Sequence, residues 1–190
     1  MDAHQRIEQP TLDTEHLLLR PLRMSDVSAM HILSNDVEVS ANLADMPYPY
    51  PREAAVGTVE AMQNLAARGE AFAFALIPQD SESKELVGVI YLVVNSGNQH
   101  GELIYWIGKP YWGLGYATEA VRAIIIFAFN RLKLHRVYAS VFQQNMASSR
   151  VLQKAGMQYE GMLREHILKN GQFMDVLCYG FLREEFKSPS

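Results

Sequence analysis

A single cysteine, Cys178, stands among the 190 residues, so no internal disulfide, CxxC redox pair or cysteine metal cluster can form within the chain. The six histidines show no HExxH or comparable ligand spacing, and no metal site is expected. No uninterrupted apolar run exceeds Ala123 to Phe129, far short of a bilayer span, and MDAHQRIEQP at the start lacks the apolar centre of a secretory signal. An excess of positive charge is missing too. Seventeen basic against 21 acidic residues give a formal charge of −4 without a long like-charged block, which offers no electrostatic footprint for nucleic acid or anionic lipid. Repeats, low-complexity tracts and internal linkers are absent. These exclusions lead to the expectation of a soluble, cytoplasmic protein with neither a membrane nor a direct nucleic-acid partner.

What is present suffices for one buried core, since 48% of the residues are apolar and 10% aromatic. Residues 1–16 read as a polar N-terminal arm and residues 17–186 as a single domain. Leu17 to Leu22 is a short strand stopped at Pro21. Ser25 and Asp26 open a helix through Val27, Met30, Ile32 and Leu33. MPYPYP, Met46 to Pro51, breaks regular structure and is expected to expose Tyr48 and Tyr50 on stiff backbone. Arg52 to Arg68 carries a helical apolar stripe and ends at Gly69, where a left-handed cap is expected. Ala71 to Ile77, Leu86 to Val94 and Glu102 to Gly108 read as strands joined by short turns, the pattern of an antiparallel meander. Then follow a helix (Tyr116 to Arg131), a strand (His135 to Phe142) and a helix (Ala147 to Lys154) opened by Asn145. A hairpin, Met157 to Leu163 with Phe173 to Leu182, turns at Asn170-Gly171 and closes the series. This order predicts an α+β, or mixed α/β, fold.

One strand-turn-helix unit carries chemistry: GELIYWIGKPYWGLGYATEA, Gly101 to Ala120. A glycine-bearing turn before a helix leaves backbone N–H groups unpaired and aims them, with the positive helix end, at an anion. Gly113 and Gly115 have no side chain to block a pyrophosphate, and Ala117 is small where the helix must pack closely. The tripeptide alone reads equally as a turn needing positive φ. No GxxxxGK[ST] is present, and the third glycine and downstream acid of a dinucleotide fingerprint are missing.

The context of that turn is more specific. LLLRPL at Leu17, YWIGKPYWGLGYATEAVRAIIIFAF, LHRVYASV, NMASSRVLQKAGM, EGMLRE, NGQFMDV and LREEF, in this order, resemble the RimJ/RimL-type branch of the GNAT acetyltransferases over nearly the whole chain. The resemblance implies a central, mostly antiparallel twisted sheet of about seven strands flanked by about four helices. It also implies acetyl-CoA as co-substrate, no metal, and transfer to a primary amine. The α-amino group of a protein such as a ribosomal protein is the first expectation for that amine. A small amine, such as a polyamine, and a non-catalytic acyl-CoA-binding module are the alternatives, and a homodimer is left open.

The same resemblance assigns residues. Trp112, Gly113, Leu114, Gly115, Tyr116, Ala117 and Thr118 would cradle the pyrophosphate. Because Trp112 stands where the superfamily usually has Gln or Arg, the backbone amides would carry that load. Arg122, Arg150 and Lys154 are further candidates for the outer phosphates, or else solvated helix charges. Glu102 would be the general base, since alternation puts it on one strand face with Ile104 and Trp106, and a backbone N–H around Ile104 to Trp106 would meet the oxyanion. Leu152 occupies the position of the tyrosine that many superfamily members use, whereas Asn145 and Ser148 match the branch's Asn-x-x-Ser, with the serine near the thioester sulfur and the asparagine near the pantetheine arm. Asn145 reads equally as a helix N-cap. Ile167 fills the place of a carboxylate used by some relatives, with Glu160 and Glu165 as nearby substitutes. Tyr48, Tyr50 and Trp106 would line the amine pocket, and Cys178 reads as core, which favours direct transfer over an acetyl-cysteine.

Overall fold

The segment AFAFALIP, Ala71–Pro78, alternates small and large apolar residues and every one is buried, as in a strand covered on both faces. In the computed structural model, which describes residues 8–186, it lies inside an eight-stranded sheet. The strands are β1 (Leu12–Asp13), β2 (Leu17–Pro21), β3 (Ala71–Pro78), β4 (Gly88–Asn95), β5 (His100–Ile107), β6 (Arg136–Phe142), β7 (Gln158–Lys169) and β8 (Gln172–Leu182), in the spatial order β1-β2-β3-β4-β5-β6-β8-β7. Every neighbouring pair is antiparallel except β5 and β6, which are parallel.

The helices divide between the two faces. Phe72, Phe74 and Leu76 point to α4 (Tyr116–Asn130), with Phe127 set edge-on to both phenylalanines at 5.3 and 5.6 Å, and α5 (Met146–Lys154) completes that layer through Leu152. Ala73, Ala75 and Ile77 point the other way, against α1 (Val27–Ser34) and α3 (Arg52–Arg68). Alternation in one strand thus serves two cores. The C-cap of α3 is Gly69 at φ 70°, the left-handed conformation expected there.

Several boundaries differ from the sequence reading. Leu12–Asp13, within the expected arm, pairs with β2 as a short edge strand, while residues 1–7 of that arm lie outside the described residues. A five-residue helix, α2 (Val37–Ala41), follows α1; its cap is Asp36, whose side chain accepts from the N–H of Glu38 and Val39. Among the described residues the sheet therefore has eight strands and the helices number five, one more of each than expected. The hairpin is longer than expected, and the turn at Asn170-Gly171 falls where it was read. No helix among the described residues is long and apolar enough to cross a membrane.

Asp26, read as part of a helix start, closes the short turn Met24–Asp26 that runs into α1. It is 5% exposed and takes both terminal nitrogens of Arg20, at 2.7 and 2.8 Å, and the N–H of Arg23 at 2.8 Å. This bidentate pair joins β2 to the entrance of α1. Removing one partner strands a desolvated charge, so Asp26→Ala is expected to destabilise the protein by about 3–5 kcal/mol, read from the shift of a denaturant midpoint. A loss below ~1 kcal/mol, the value of a surface pair, would show that Arg20 finds another partner.

Candidate active site

Strands β5 and β6 pair over three positions only, His100 with Arg136, Gly101 with Val137 and Glu102 with Tyr138, and then separate. Each remains held on its outer side, β5 by β4 through Ile107 and β6 by β8 through Phe142. The gap is the base of a cleft of about 420 Å³ lined by Leu103 to Ile107, Ala139 to Val141, the turn before α4 and the start of α5. Antiparallel pairing alternates which residues face which neighbour. Val94 N–H binds Glu70 O toward β3, so the odd-numbered residues of β4 bond β5 through its even-numbered ones. The N–H groups of Leu103 and Tyr105 consequently point toward β6; the last pairing, Glu102 with Tyr138, takes up that of Leu103, and Tyr105 lies beyond it, where the partner strand has left. Of the oxyanion donors expected around Ile104 to Trp106, Tyr105 has its N–H on the parted side, while those of Ile104 and Trp106 point toward β4.

The turn at the mouth of the cleft is built by two left-handed glycines, Gly113 at φ 80° and Gly115 at φ 85°. A Cβ at either would meet nothing within 4 Å, so the space above the turn is open. Trp112 donates its indole N–H to Ile107 O at 2.7 Å, which ties the turn to the end of β5. The first bond back from α4 is Glu119 N–H to Gly115 O, leaving the N–H groups of Tyr116, Ala117 and Thr118 without a helical acceptor. Open space, free amides and a 15-residue helix behind them fit a diphosphate. Of the residues expected here, Trp112, Gly113, Gly115, Tyr116, Ala117 and Thr118 line the cleft, whereas the Leu114 side chain is exposed away from it and can offer only its backbone. Arg150 and Lys154 also line the cleft; Arg122 donates to the carbonyl of Lys154 and closes the end of α5.

At the inner end, Asn145 and Ser148 are together. Asn145 Oδ1 accepts from the Ser148 N–H at 3.1 Å, so it is the N-cap of α5 as well as a lining residue. Ser148 Oγ lies 2.6 Å from the hydroxyl of Tyr105. Sequence reasoning missed Tyr105. Its one available signal was alternation: Tyr105 shares a β5 face with Leu103 and Ile107, toward α4 and α5.

Glu102 is on the opposite face, with Ile104 and Trp106, as alternation predicted. It is half-buried at the last paired position and accepts from the Tyr138 hydroxyl at 3.3 Å. Burial first, and then the Glu102 carboxylate, push the Tyr138 phenol above its ordinary value, so it remains a donor. Glu160 is occupied: Arg136 binds both its oxygens and holds its carboxyl below the usual range. Glu165 is exposed in an irregularity of β7 at φ 50°, its N–H bound to Asp175, and Ile167 is half-buried nearby.

The expected amine pocket needs correction. Tyr48 is 57% exposed, but Tyr50 is 6% exposed and belongs to the core under α1 and α3. Its main chain is clamped by Asn35, and its hydroxyl meets Thr58. Trp106 is also buried in that core and contributes only an edge to the cleft. Cys178 is half-buried on β8 between Ser140 and Gly161, not fully in the core as read. The wall beside Leu43 is held from the far hairpin, where Lys169 donates to the carbonyls of Leu43 and, at 3.3 Å, Met46. Burial pushes the Lys169 ammonium below its ordinary value. No three His, Cys, Asp or Glu side chains among the described residues are grouped to hold a metal.

Residues 16–158 match the family described as acetyltransferase (GNAT) domain. The chain is 29% identical to the N-acetyltransferase p20 of Bacillus licheniformis over 93% of its own length and 98% of the relative's. It is 31% identical to the [ribosomal protein uS5]-alanine N-acetyltransferase of Escherichia coli, over 67% and 64%. With the spermidine N(1)-acetyltransferase of Vibrio cholerae it shares 25% over 92% and 97%. A GNAT-family acetyltransferase structure from Bacillus anthracis superposes with a TM-score of 0.81 at 28% identity, covering 93% of this chain and all of the other. The parted strands, the open glycine turn and these likenesses converge: the chain belongs to the GNAT family, as an acetyl-CoA-dependent N-acetyltransferase.

Proposed function

We propose that the protein acetylates the α-amino group of a protein chain, a ribosomal protein being the first candidate, and works in the cytoplasm. The carrying observation is the division of groups by the parted strands: Glu102 lies on one sheet face and Ser148 on the other. The Glu102 face is open, with Ile104 39% exposed and Val93 38%, a surface that admits a chain end more readily than it encloses a small molecule. The uS5-alanine enzyme among the relatives supports this acceptor. The spermidine enzyme supports a second reading, a polyamine acceptor, for which the net charge of −4 is favourable.

Bound acetyl-CoA supplies a thioester carbonyl open to an amine and a sulfur leaving group. The amides from Gly113 to Thr118 hold the pyrophosphate, with the N-terminus of α4 behind them. Glu102 takes the amine proton, through water, and Tyr138 keeps the carboxylate in place. The N–H of Tyr105, beyond the last pairing of β5 with β6, meets the carbonyl oxygen as charge gathers on it. Ser148 offers its hydroxyl to the departing sulfur. Direct transfer needs no enzyme nucleophile.

Thiol release from acetyl-CoA, measured against peptides with free N-termini and against spermidine and other small amines, is expected to favour peptides. Turnover confined to polyamines would select the second reading, and no turnover with any amine would leave an acyl-CoA-binding module. Gly115→Val places a β-branched residue at φ 85° and a side chain in the open space. It is expected to weaken acetyl-CoA binding by about tenfold or more in calorimetry, the worth of one or two charge-assisted hydrogen bonds. Wild-type affinity would remove the turn from the site. Glu102→Gln keeps shape without basicity and is expected to lower turnover by roughly 10²–10⁴ and erase the acid limb of the pH–rate profile. An unchanged limb would assign the proton to another group.

A further inference from the structure

Ser148 is held from two directions that are far apart in sequence. Its N–H is bound by the cap residue Asn145, and its Oγ by Tyr105, 43 residues earlier, on β5. The Tyr105 hydroxyl lies 2.6 Å from Ser148 Oγ and 3.4 Å from Ser148 O, so it sits over the serine rather than beside it. Of two hydroxyls in such contact, the phenol is the stronger acid and therefore the donor. A serine in the first turn of a helix otherwise rotates its proton toward a nearby backbone acceptor.

We propose that Tyr105 is a positioning residue for the transfer step: its hydroxyl donates to Ser148 Oγ and so leaves the serine proton free to turn into the cleft, toward the sulfur. This rests on the assignment of Ser148 given above. As the C–S bond breaks, its electron pair stays on sulfur, the serine O–H stabilises that charge by a hydrogen bond, and the thiolate takes its proton from solvent. Tyr105 is not the acid in this arrangement. Burial pushes its phenol up to about 12, against the opposing effect of the Ser148 hydrogen bond, so it stays protonated while sulfur leaves. The same residue contributes its N–H toward the parted strand, which couples the orientation of the serine to the strand that carries the oxyanion donor.

The test is a double-mutant cycle in steady-state kinetics with Tyr105→Phe, Ser148→Ala and both together, on the full chain with the best peptide or amine acceptor. Tyr105→Phe is expected to lower kcat by about tenfold with the KM for acetyl-CoA unchanged, and Ser148→Ala to lower it by at least as much. The double variant is expected to equal Ser148→Ala alone, because Tyr105 has nothing left to orient. Ser148→Thr, which keeps a hydroxyl, should retain both most of the rate and its sensitivity to Tyr105→Phe. Thermal midpoints within a few degrees of wild type establish that packing is intact. If Tyr105→Phe is fully active while Ser148→Ala is slow, the positioning role is wrong and the serine assignment stands. If the two losses multiply, Tyr105 acts apart from Ser148 and the proposal falls. If Ser148→Ala is fully active, the serine assignment falls and takes the proposal with it.

Discussion

The site depends on the early end of pairing between β5 and β6. A parallel pair that loses its hydrogen bonds inside a sheet would ordinarily leave costly unpaired backbone. Here both strands keep their outer partners, and Trp112 fastens the far end of β5, so the gap has rigid sides. Beyond the last pairing, the N–H of Tyr105 faces the gap. The crossover that a parallel pair requires supplies the rest: the turn and α4 lie between β5 and β6 in sequence, and α5 follows β6 directly.

Strand alternation then distributes the chemistry. Glu102 and Tyr105 are three residues apart on β5 and so face opposite ways, one toward the open sheet face and one toward α5. In the proposed mechanism, proton removal and leaving-group stabilisation are kept apart by the thickness of a single strand. The other two carboxylates considered for the site are placed differently: Glu160 is paired with Arg136, and Glu165 is exposed in the irregularity of β7.

Local patterns were read well where the structure obeys local rules. Gly69 ends α3, Asn145 opens α5, Asn170-Gly171 turns the hairpin, and the β3-β4-β5 meander follows from period-2 segments with short links. Contacts between distant parts were not legible. Tyr48 and Tyr50 have nearly identical neighbours in sequence, and contacts from distant residues, Asn35 to the Tyr50 backbone and Thr58 to its hydroxyl, mark the one that is buried. The strand at Leu12–Asp13 exists because β2 offers it an edge, and α2 is too short to show a stripe. Tyr105 looks like any strand tyrosine until α5 brings Ser148 to it.

The grip of Lys169 on the loop after α2 has a consequence of another kind. The ammonium holds main-chain oxygens, at Leu43 and Met46, and leaves the side chains of residues 43–46 out of the bond. A carbonyl is the same whatever residue bears it. The wall can therefore exchange its side chains over generations without losing the tie that shapes it, so that descendants of one scaffold can take up different amines while the machinery on the opposite sheet face stays as it is.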